Sequence, residues 1–120
     1  MPYAREFRAA LIAGDEAKAR EWAKGWQYAG YEMTIFSTTE EAWIEDNILH
    51  AKMYFTMPPT LSLAGGQVAI GRDFEPKLVV DRELITGQNP RSDHLIAAKL
   101  VEAMDRATAA DAPAKKAARN

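Results

Sequence analysis

The sequence contains no cysteine at any of its 120 positions. Disulfide bonds, zinc–thiolate sites and thiol nucleophiles are therefore excluded for this chain. No apolar run approaches the roughly 18 residues that a bilayer-spanning helix needs, and no secretory signal follows Met1, because charged residues begin within a few positions. These absences predict a cytoplasmic protein with no membrane partner.

Neither sign of charge is in large excess. The chain has 15 basic and 17 acidic side chains, for a net charge of -2. This balance gives no electrostatic reason to expect nucleic acid as a partner. Hydrophobic residues make up 48% of the chain and charged residues 27%, which is ordinary for one small soluble domain.

The first 27 residues carry a helical pattern. Tyr3, Phe7 and Leu11 recur at the spacing of one helix face. Gly14 then interrupts the pattern, and Asp15 is well placed to cap a second helix. We predict two short helices, or one kinked helix, over residues 1–27.

The segment from Tyr31 to Ser37, "YEMTIFS", alternates apolar and polar residues and is rich in aromatic and β-branched side chains. It predicts a strand of about six residues. The "TTEE" that follows resembles a capping box, in which Thr38 caps a short helix and Glu41 reaches back. That helix would continue through Trp43.

The middle of the chain predicts short elements. A helical turn is expected from Pro59, because proline is tolerated in a first turn. Brief strands are expected at residues 67–70 and 77–80, and the latter would reverse into a strand at 84–86. A helix then opens near Ser92. The order of elements is typical of a small α/β domain.

The stretch from Leu78 to Met104, "LVVDRELITGQNPRSDHLIAAKLVEAM", resembles the end of ThiJ/PfpI proteins, in the class I glutamine amidotransferase-like superfamily. These proteins read as a valine-rich strand, Asp-x-x-Leu, Ile/Val-Thr, Gly-Gln-Asn-Pro, and a helix opening with Ser or Asp. The segment "GYEMTIFSTTEEAW", from Gly30 to Trp43, is similar to the family's Gly-x-x-Val-Thr-x-Phe-Ser strand, and "MPPTLSLAGGQV" resembles the link between the two.

The resemblance implies a domain organisation and a fold. Residues 1–27 are a helical segment, residues 28–107 correspond to the C-terminal portion of a ThiJ/PfpI protein, and residues 108–120 are predicted to be a disordered tail. The expected fold class is α/β: a partial flavodoxin-like or glutamine amidotransferase-like sandwich, with N-terminal helices and a C-terminal strand-loop-helix.

The resemblance also implies a function for the complete protein. The family acts on small carbonyl or amide compounds, with glyoxalase, deglycase, amidase, peptidase and chaperone-like activities, through a cysteine directly followed by a histidine. This chain matches only the C-terminal half and has no cysteine. We therefore expect no catalytic residue, cofactor or metal in it, and either a homo-oligomer or a complementary cysteine-containing chain as partner. The alternatives are a non-catalytic binding or oligomerisation module derived from the family, and an unrelated helical-hairpin interaction protein.

The pocket-lining residues implied by the resemblance form one loop: Thr86, Gly87, Gln88, Asn89 and Pro90. A loop after a strand lies where open α/β sheets bind ligands. The two amide side chains would hydrogen-bond a small carbonyl or amide ligand. In the alternative interpretation, Gly87 and Asn89 supply turn conformations before the last helix.

The other chemistry-bearing residues are predicted to be structural. No serine lies in a Gly-x-Ser-x-Gly elbow, and helix capping is the expected role of Ser37 and Ser92. Surface or packing roles are expected for His50 and His94. Glu40 and Glu41 are expected to lie in a solvated first helical turn. Asp46, His50 and Asp73 are not expected to form a metal site.

Overall fold

The computed structural model describes the backbone of residues 1–119 and the side chains of residues 1–109. It belongs to the general α/β class that the sequence predicts, with helices and two small sheets. The elements in chain order are α1 (Ala4–Ala13), α2 (Glu16–Trp22), β1 (Glu32–Met33), α3 (Thr38–Ile44) with a π-helical turn (Glu45–Leu49), α4 (Met57–Leu63), β2 (Gln67–Val68), β3 (Leu78–Asp81), β4 (Leu84–Gly87), a 3-10 turn (Pro90–Ser92) and α5 (Asp93–Arg119).

The predicted break between α1 and α2 is confirmed. Gly14 ends α1 in the left-handed conformation, with φ of 73°, and its amide returns to carbonyls of the last turn. The Asp15 carboxylate then accepts a hydrogen bond from the Lys18 amide at 3.1 Å and caps α2. The two residues together reverse the chain, so that α1 and α2 form a helical hairpin.

The largest apolar cluster lies between this hairpin and α4. Its buried members are Phe7 and four alanines, Ala10, Ala19, Ala23 and Ala64. Half-buried side chains surround them: Met1, Leu11, Trp22, Trp26 and Leu63. Because an alanine side chain removes little apolar area from water, this core contributes less to stability than a core of larger residues.

The two sheets have two strands each. β1 pairs in parallel with β2, and β3 pairs with β4 in an antiparallel hairpin. The six-residue strand predicted from Tyr31 is therefore wrong in length, because ladder pairing covers only two residues. Its partner strand ends at Val68, and the chain then turns so that the Gly71 amide bonds the Gln88 side chain instead of β1.

Hydrogen bonds to side chains, rather than backbone hydrogen bonds between strands, connect β1 to the β3–β4 hairpin. The Glu32 amide donates to the Asp81 carboxylate at 2.7 Å, and the Thr34 amide donates to the Thr86 hydroxyl at 3.0 Å. At the hairpin tip the guanidinium of Arg82 lies 3.8 Å from the centre of the Tyr31 ring. These contacts fix the hairpin beside β1 although no backbone hydrogen bond joins the two sheets.

α5 packs on the β3–β4 hairpin only through its first turns. Further along, the large side chains of Leu100, Val101 and Met104 are exposed. The backbone is helical as far as Arg119, and the helix therefore extends into residues 108–120, for which the sequence predicts disorder. The side chains from residue 110 onward lie outside the described residues, so disorder of the tail stays a prediction. Of the helices that the structure describes, none is both long enough and apolar enough to cross a bilayer.

Candidate functional site

The centre of the candidate site is a buried carboxylate, Glu40. Its side chain is fully buried, and its two oxygens accept four hydrogen bonds. The donors are the Ser37 amide at 2.8 Å, the Phe74 amide at 2.8 Å, the Gln88 side chain at 2.7 Å and the Asn89 side chain at 2.8 Å. Glu40 thus joins the start of α3 to the chain before β3 and to the loop after β4.

Local sequence explains how Glu40 is placed. Ser37 caps α3 by accepting from the Glu40 amide at 3.0 Å, and the Glu40 carboxylate returns to the Ser37 amide. The capping box is therefore real but lies one residue earlier than the predicted Thr38 and Glu41. The predicted cap role of Ser37 is confirmed. The predicted solvation of Glu40 is wrong, because residues of the loop after β4 and of the segment before β3 cover the first turn of α3.

The hydrogen bonds to Glu40 decide its ionisation. Burial alone raises the pKa of the carboxyl, since it penalises the charged form. The amides of Ser37 and Phe74 and the side chains of Gln88 and Asn89 oppose this and leave the pKa of Glu40 below its ordinary value. The group is therefore a fixed anion at neutral pH, with all its charge directed at neutral donors of the same chain.

The amides of Gln88 and Asn89 are both engaged within the protein. Gln88 donates to Glu40 and accepts from the Gly71 amide at 2.8 Å. Asn89 donates to Glu40 and to the Glu75 carbonyl at 2.8 Å, and accepts from the Arg91 amide at 3.1 Å. These hydrogen bonds tie the loop after β4 to α3, and the amides of Gln88 and Asn89 are therefore not directed at an open pocket.

The remaining predicted pocket-lining residues lie partly in the interior and partly at an apolar groove between α3 and the loop after β4. Thr86 accepts from the Thr34 amide, and Gly87 lies against α5. Pro90 and one side of Asn89 line the groove, so two of the five predicted pocket-lining residues meet a cavity. Ser92, predicted to cap α5, is instead buried in the 3-10 turn and accepts from the Lys77 amide at 3.0 Å.

The groove is an apolar depression of about 340 Å³ between α3 and the loop after β4. We call it the Trp43 groove, and its lining residues are Phe36, Trp43, Ile44, Ile48, Phe74, Asn89, Pro90 and Arg91. The rings of Trp43 and Phe74 meet edge to face with centroids 5.6 Å apart. The sequence predicts Trp43 only as a residue of the short helix after the "TTEE" segment. It gives no signal for Phe74, which lies in a polar segment with no periodic pattern.

One wall of the groove has an unusual backbone. Phe74 has φ of 60°, a left-handed conformation that is rare for a bulky residue. The bond from its amide to Glu40 holds this conformation in place. The preceding Asp73 accepts from the hydroxyls of Ser37, at 2.5 Å, and Thr39, and these bonds lower the pKa of Asp73.

Glu41, in α3, and Glu45, in the π-helical turn, are also buried, so the predicted solvation of Glu41 is wrong. Both oxygens of Glu41 accept from the Met57 amide, at 3.1 and 3.0 Å, and Glu45 accepts from the Met53 amide at 2.6 Å. Burial raises the pKa of Glu41, and the negative charge of Glu45 raises it further, against the opposing effect of the Met57 amide. These carboxylates stabilise the path of the chain from the π-helical turn to α4.

The opposite pKa shifts of Glu40 and Glu41 predict a pH-dependent stability. The folded carboxyl of Glu41 binds its proton more tightly than in the unfolded chain, so its effect lowers stability as pH rises above the ordinary glutamate value of 4.5. The folded carboxyl of Glu40 binds its proton less tightly, so its stabilisation is present above 4.5 and is lost as pH falls through the lowered pKa. We expect Glu41→Gln to flatten the curve of unfolding free energy above pH 4.5 and to leave the acid limb unchanged.

Urea unfolding at pH steps from about 3 to 7 measures this curve, with Glu16→Gln as the control because Glu16 is exposed on α2. Parallel curves for the wild-type chain and Glu41→Gln above pH 4.5 would contradict the assignment.

The two histidines lie outside this network. His50 is exposed at the end of the π-helical turn, with φ of 52°, and His94 is exposed in the first turn of α5. Asp46 pairs with Lys52 at 3.4 Å. Among the described side chains, no group of three or more His, Cys, Asp or Glu residues converges closely enough to hold a metal ion.

Comparison with known proteins adds no relative to these observations. Neither protein-family models, nor curated proteins, nor solved structures give a match to the chain.

Proposed function

We propose that this chain is one part of a ThiJ/PfpI-like sandwich of the flavodoxin-like, glutamine amidotransferase-like type, which a second chain completes. The observation that carries the proposal is the balance of apolar burial. Among the described residues, six hydrophobic residues are buried, four of them alanines, whereas twelve large hydrophobic residues are exposed. Apolar burial is the main favourable contribution to folding, so covering this surface would add to stability.

The exposed apolar residues include a continuous stripe on α5. Met104 follows Val101 by three positions and Leu100 by four, so it is a neighbour of both on the helix surface, and all three residues are exposed. Single exposed apolar residues are normal on protein surfaces, but a contiguous set is typical of an interaction surface. This stripe supports association with another polypeptide.

A cleft between the two sheets supports the same proposal. It measures about 510 Å³ and is bordered by β2 and by β3 from Leu78 to Val80. The strands β1 and β2 are only two residues long, and a two-stranded ribbon is marginally stable alone. A strand from a second chain would extend the sheet and protect its edge.

The proposed chemistry belongs to the assembly. A complementary chain with a Cys-His pair would supply the thiolate nucleophile, and the assembly would act on small carbonyl or amide compounds. This chain would supply the wall around Asn89 and Pro90. The second candidate function is a non-catalytic oligomerisation module, and the observation that favours it is the engagement of the Gln88 and Asn89 amides with Glu40.

The absence of cysteine makes the test sharp. The tagged chain is isolated from its native lysate, the intact masses of all eluted chains are measured, and methylglyoxal consumption is followed before and after treatment with iodoacetamide. Because the chain itself has no thiol, alkylation of a thiol by iodoacetamide can occur only on a partner. We expect a stoichiometric cysteine-containing chain and activity that iodoacetamide removes.

A variant pair locates the contact. Val80→Asp places a charge in the cleft at a residue that is 41% exposed, and Ile12→Asp places the same charge on α1 at a residue that is 42% exposed. Only Val80→Asp should lose the partner and the activity. If the chain elutes as an inactive homo-oligomer, the non-catalytic module replaces the enzyme part. Activity that resists iodoacetamide would contradict the role of a partner thiol.

A further inference from the structure

The Trp43 groove combines an apolar lining with a single charged residue. Seven of its eight lining residues carry no charge, and the eighth is Arg91. We infer that the Trp43 groove binds a small aromatic carboxylate, with the ring against Trp43 and Phe74 and the carboxylate at Arg91. This inference concerns the isolated chain and does not rest on the proposed association or on any aldehyde chemistry.

The groove is preformed by groups outside it. Phe74 keeps its left-handed backbone because its amide donates to buried Glu40, and Asn89 is fixed by bonds to Glu40 and to the Glu75 carbonyl. The opposite wall comes from α3 and the π-helical turn, which contribute Ile44 and Ile48. Single π-helical turns occur often at functional sites. A ligand would therefore meet ordered walls and would not have to organise them.

The charge at the rim determines the sign of the ligand. No acidic side chain lines the groove. Within the described part of the chain, the Arg91 guanidinium makes neither a hydrogen bond nor an ion pair, so no carboxylate of the described residues occupies it. A planar guanidinium suits a carboxylate, which it can bind through two parallel hydrogen bonds.

The size and polarity of the groove determine the rest of the ligand. A volume of about 340 Å³ is near the lower end of the range for small-molecule pockets, which are mostly apolar with a few polar groups that fix orientation. The edge-to-face pair of Trp43 and Phe74 offers ring surfaces for aromatic contact. One fused ring system with one carboxylate matches these features.

The experiment uses 1-naphthoate and its neutral analogue 1-naphthamide as probes of the full chain. The chain has three tryptophans, so its ¹⁵N spectrum has three indole N–H resonances, and Trp43→Phe identifies the one in the groove. We expect 1-naphthoate to shift the Trp43 resonance saturably and to leave those of Trp22 and Trp26 in place, because both pack in the helical core.

Two matched pairs of variants test the ring and the charge separately. Ile48 is 61% exposed and lines the groove, whereas Leu49 is 50% exposed and does not, so Ile48→Ser should weaken both probes and Leu49→Ser neither. Arg91→Gln should weaken 1-naphthoate about fivefold and leave 1-naphthamide unchanged. Arg8→Gln, at an exposed position on α1, should change neither.

Either of two results would overturn the inference. The first is an unmoved Trp43 resonance at millimolar 1-naphthoate. The second is equal binding of 1-naphthoate by the wild-type chain and Arg91→Gln. All of these variants change exposed residues, so a folded spectrum is expected for each, and the readout is independent of the pull-down and of aldehyde consumption.

Discussion

Replacing Glu40 with alanine is expected to lower the free energy of unfolding by about 4 kcal/mol. The substitution removes the acceptor of four hydrogen bonds at once. Two of the donors, the side chains of Gln88 and Asn89, are themselves buried, at 1% and 7% exposed. A buried donor without an acceptor costs about 1–3 kcal/mol. Because the four bonds share one carboxylate, their losses are not expected to add fully.

Loss of the Glu40 carboxylate would affect three segments of the chain. The amide of Phe74 would lose the bond that holds its left-handed backbone, the Ser37 cap of α3 would lose its return bond, and the loop after β4 would lose its link to α3. Glu40→Gln retains one acceptor oxygen but points an NH₂ group at donors. It is therefore expected to cost about half as much as the alanine substitution.

Urea unfolding followed by tryptophan fluorescence measures both variants. The control is Glu6→Ala, since Glu6 also lies in the first turn of a helix but is exposed. Its cost should stay within about 0.5 kcal/mol. A cost for Glu40→Ala no larger than that for Glu6→Ala would mean that the network around Glu40 contributes little to stability.

Local sequence patterns predicted the elements of the fold well where the deciding interactions are local. The α1–α2 break follows from Gly14 and Asp15, which act on the turns beside them. The hairpin of β3 and β4 follows from two β-rich runs and a short polar reversal. The length of β1 failed because it depends on where β2 leaves the sheet, which a bond between Gly71 and Gln88, 17 positions apart, decides.

The candidate site was less predictable for the same physical reason. The acidic pair after β1 reads as a solvated helix start, and only distant residues, Phe74, Gln88 and Asn89, change that environment. A capping box with its carboxylate buried has the same local sequence as one in water. The amides of the loop likewise read as ligand-binding groups, and the sequence gives no indication that Glu40 already accepts from them.

The contact between β4 and α5 supplies the second large expected effect. Gly87→Ala is expected to lower the free energy of unfolding by about 2 kcal/mol, as overpacking of a well-packed site usually does. A methyl group at Gly87 would lie 2.6 Å from the Ile96 side chain and 2.8 Å from the Ser92 Cβ. The Ile96 side chain can rotate away, but the Ser92 Cβ cannot move without its backbone. Its displacement would also pull the Ser92 hydroxyl from the Lys77 amide, 3.0 Å away.

Gly71→Ala provides the matched control. A methyl group there would approach to 2.9 Å of the Lys77 Cδ, which belongs to a flexible side chain, and neither glycine has the positive φ that disfavours alanine. Alanine makes the unfolded chain less flexible than glycine does, and the stabilisation that results is then similar at the two positions. Gly87→Ala should therefore be less stable than Gly71→Ala by more than about 1 kcal/mol. Equal stabilities would mean that α5 shifts on the hairpin without cost, and that the 3-10 turn at Ser92 does not fix its position.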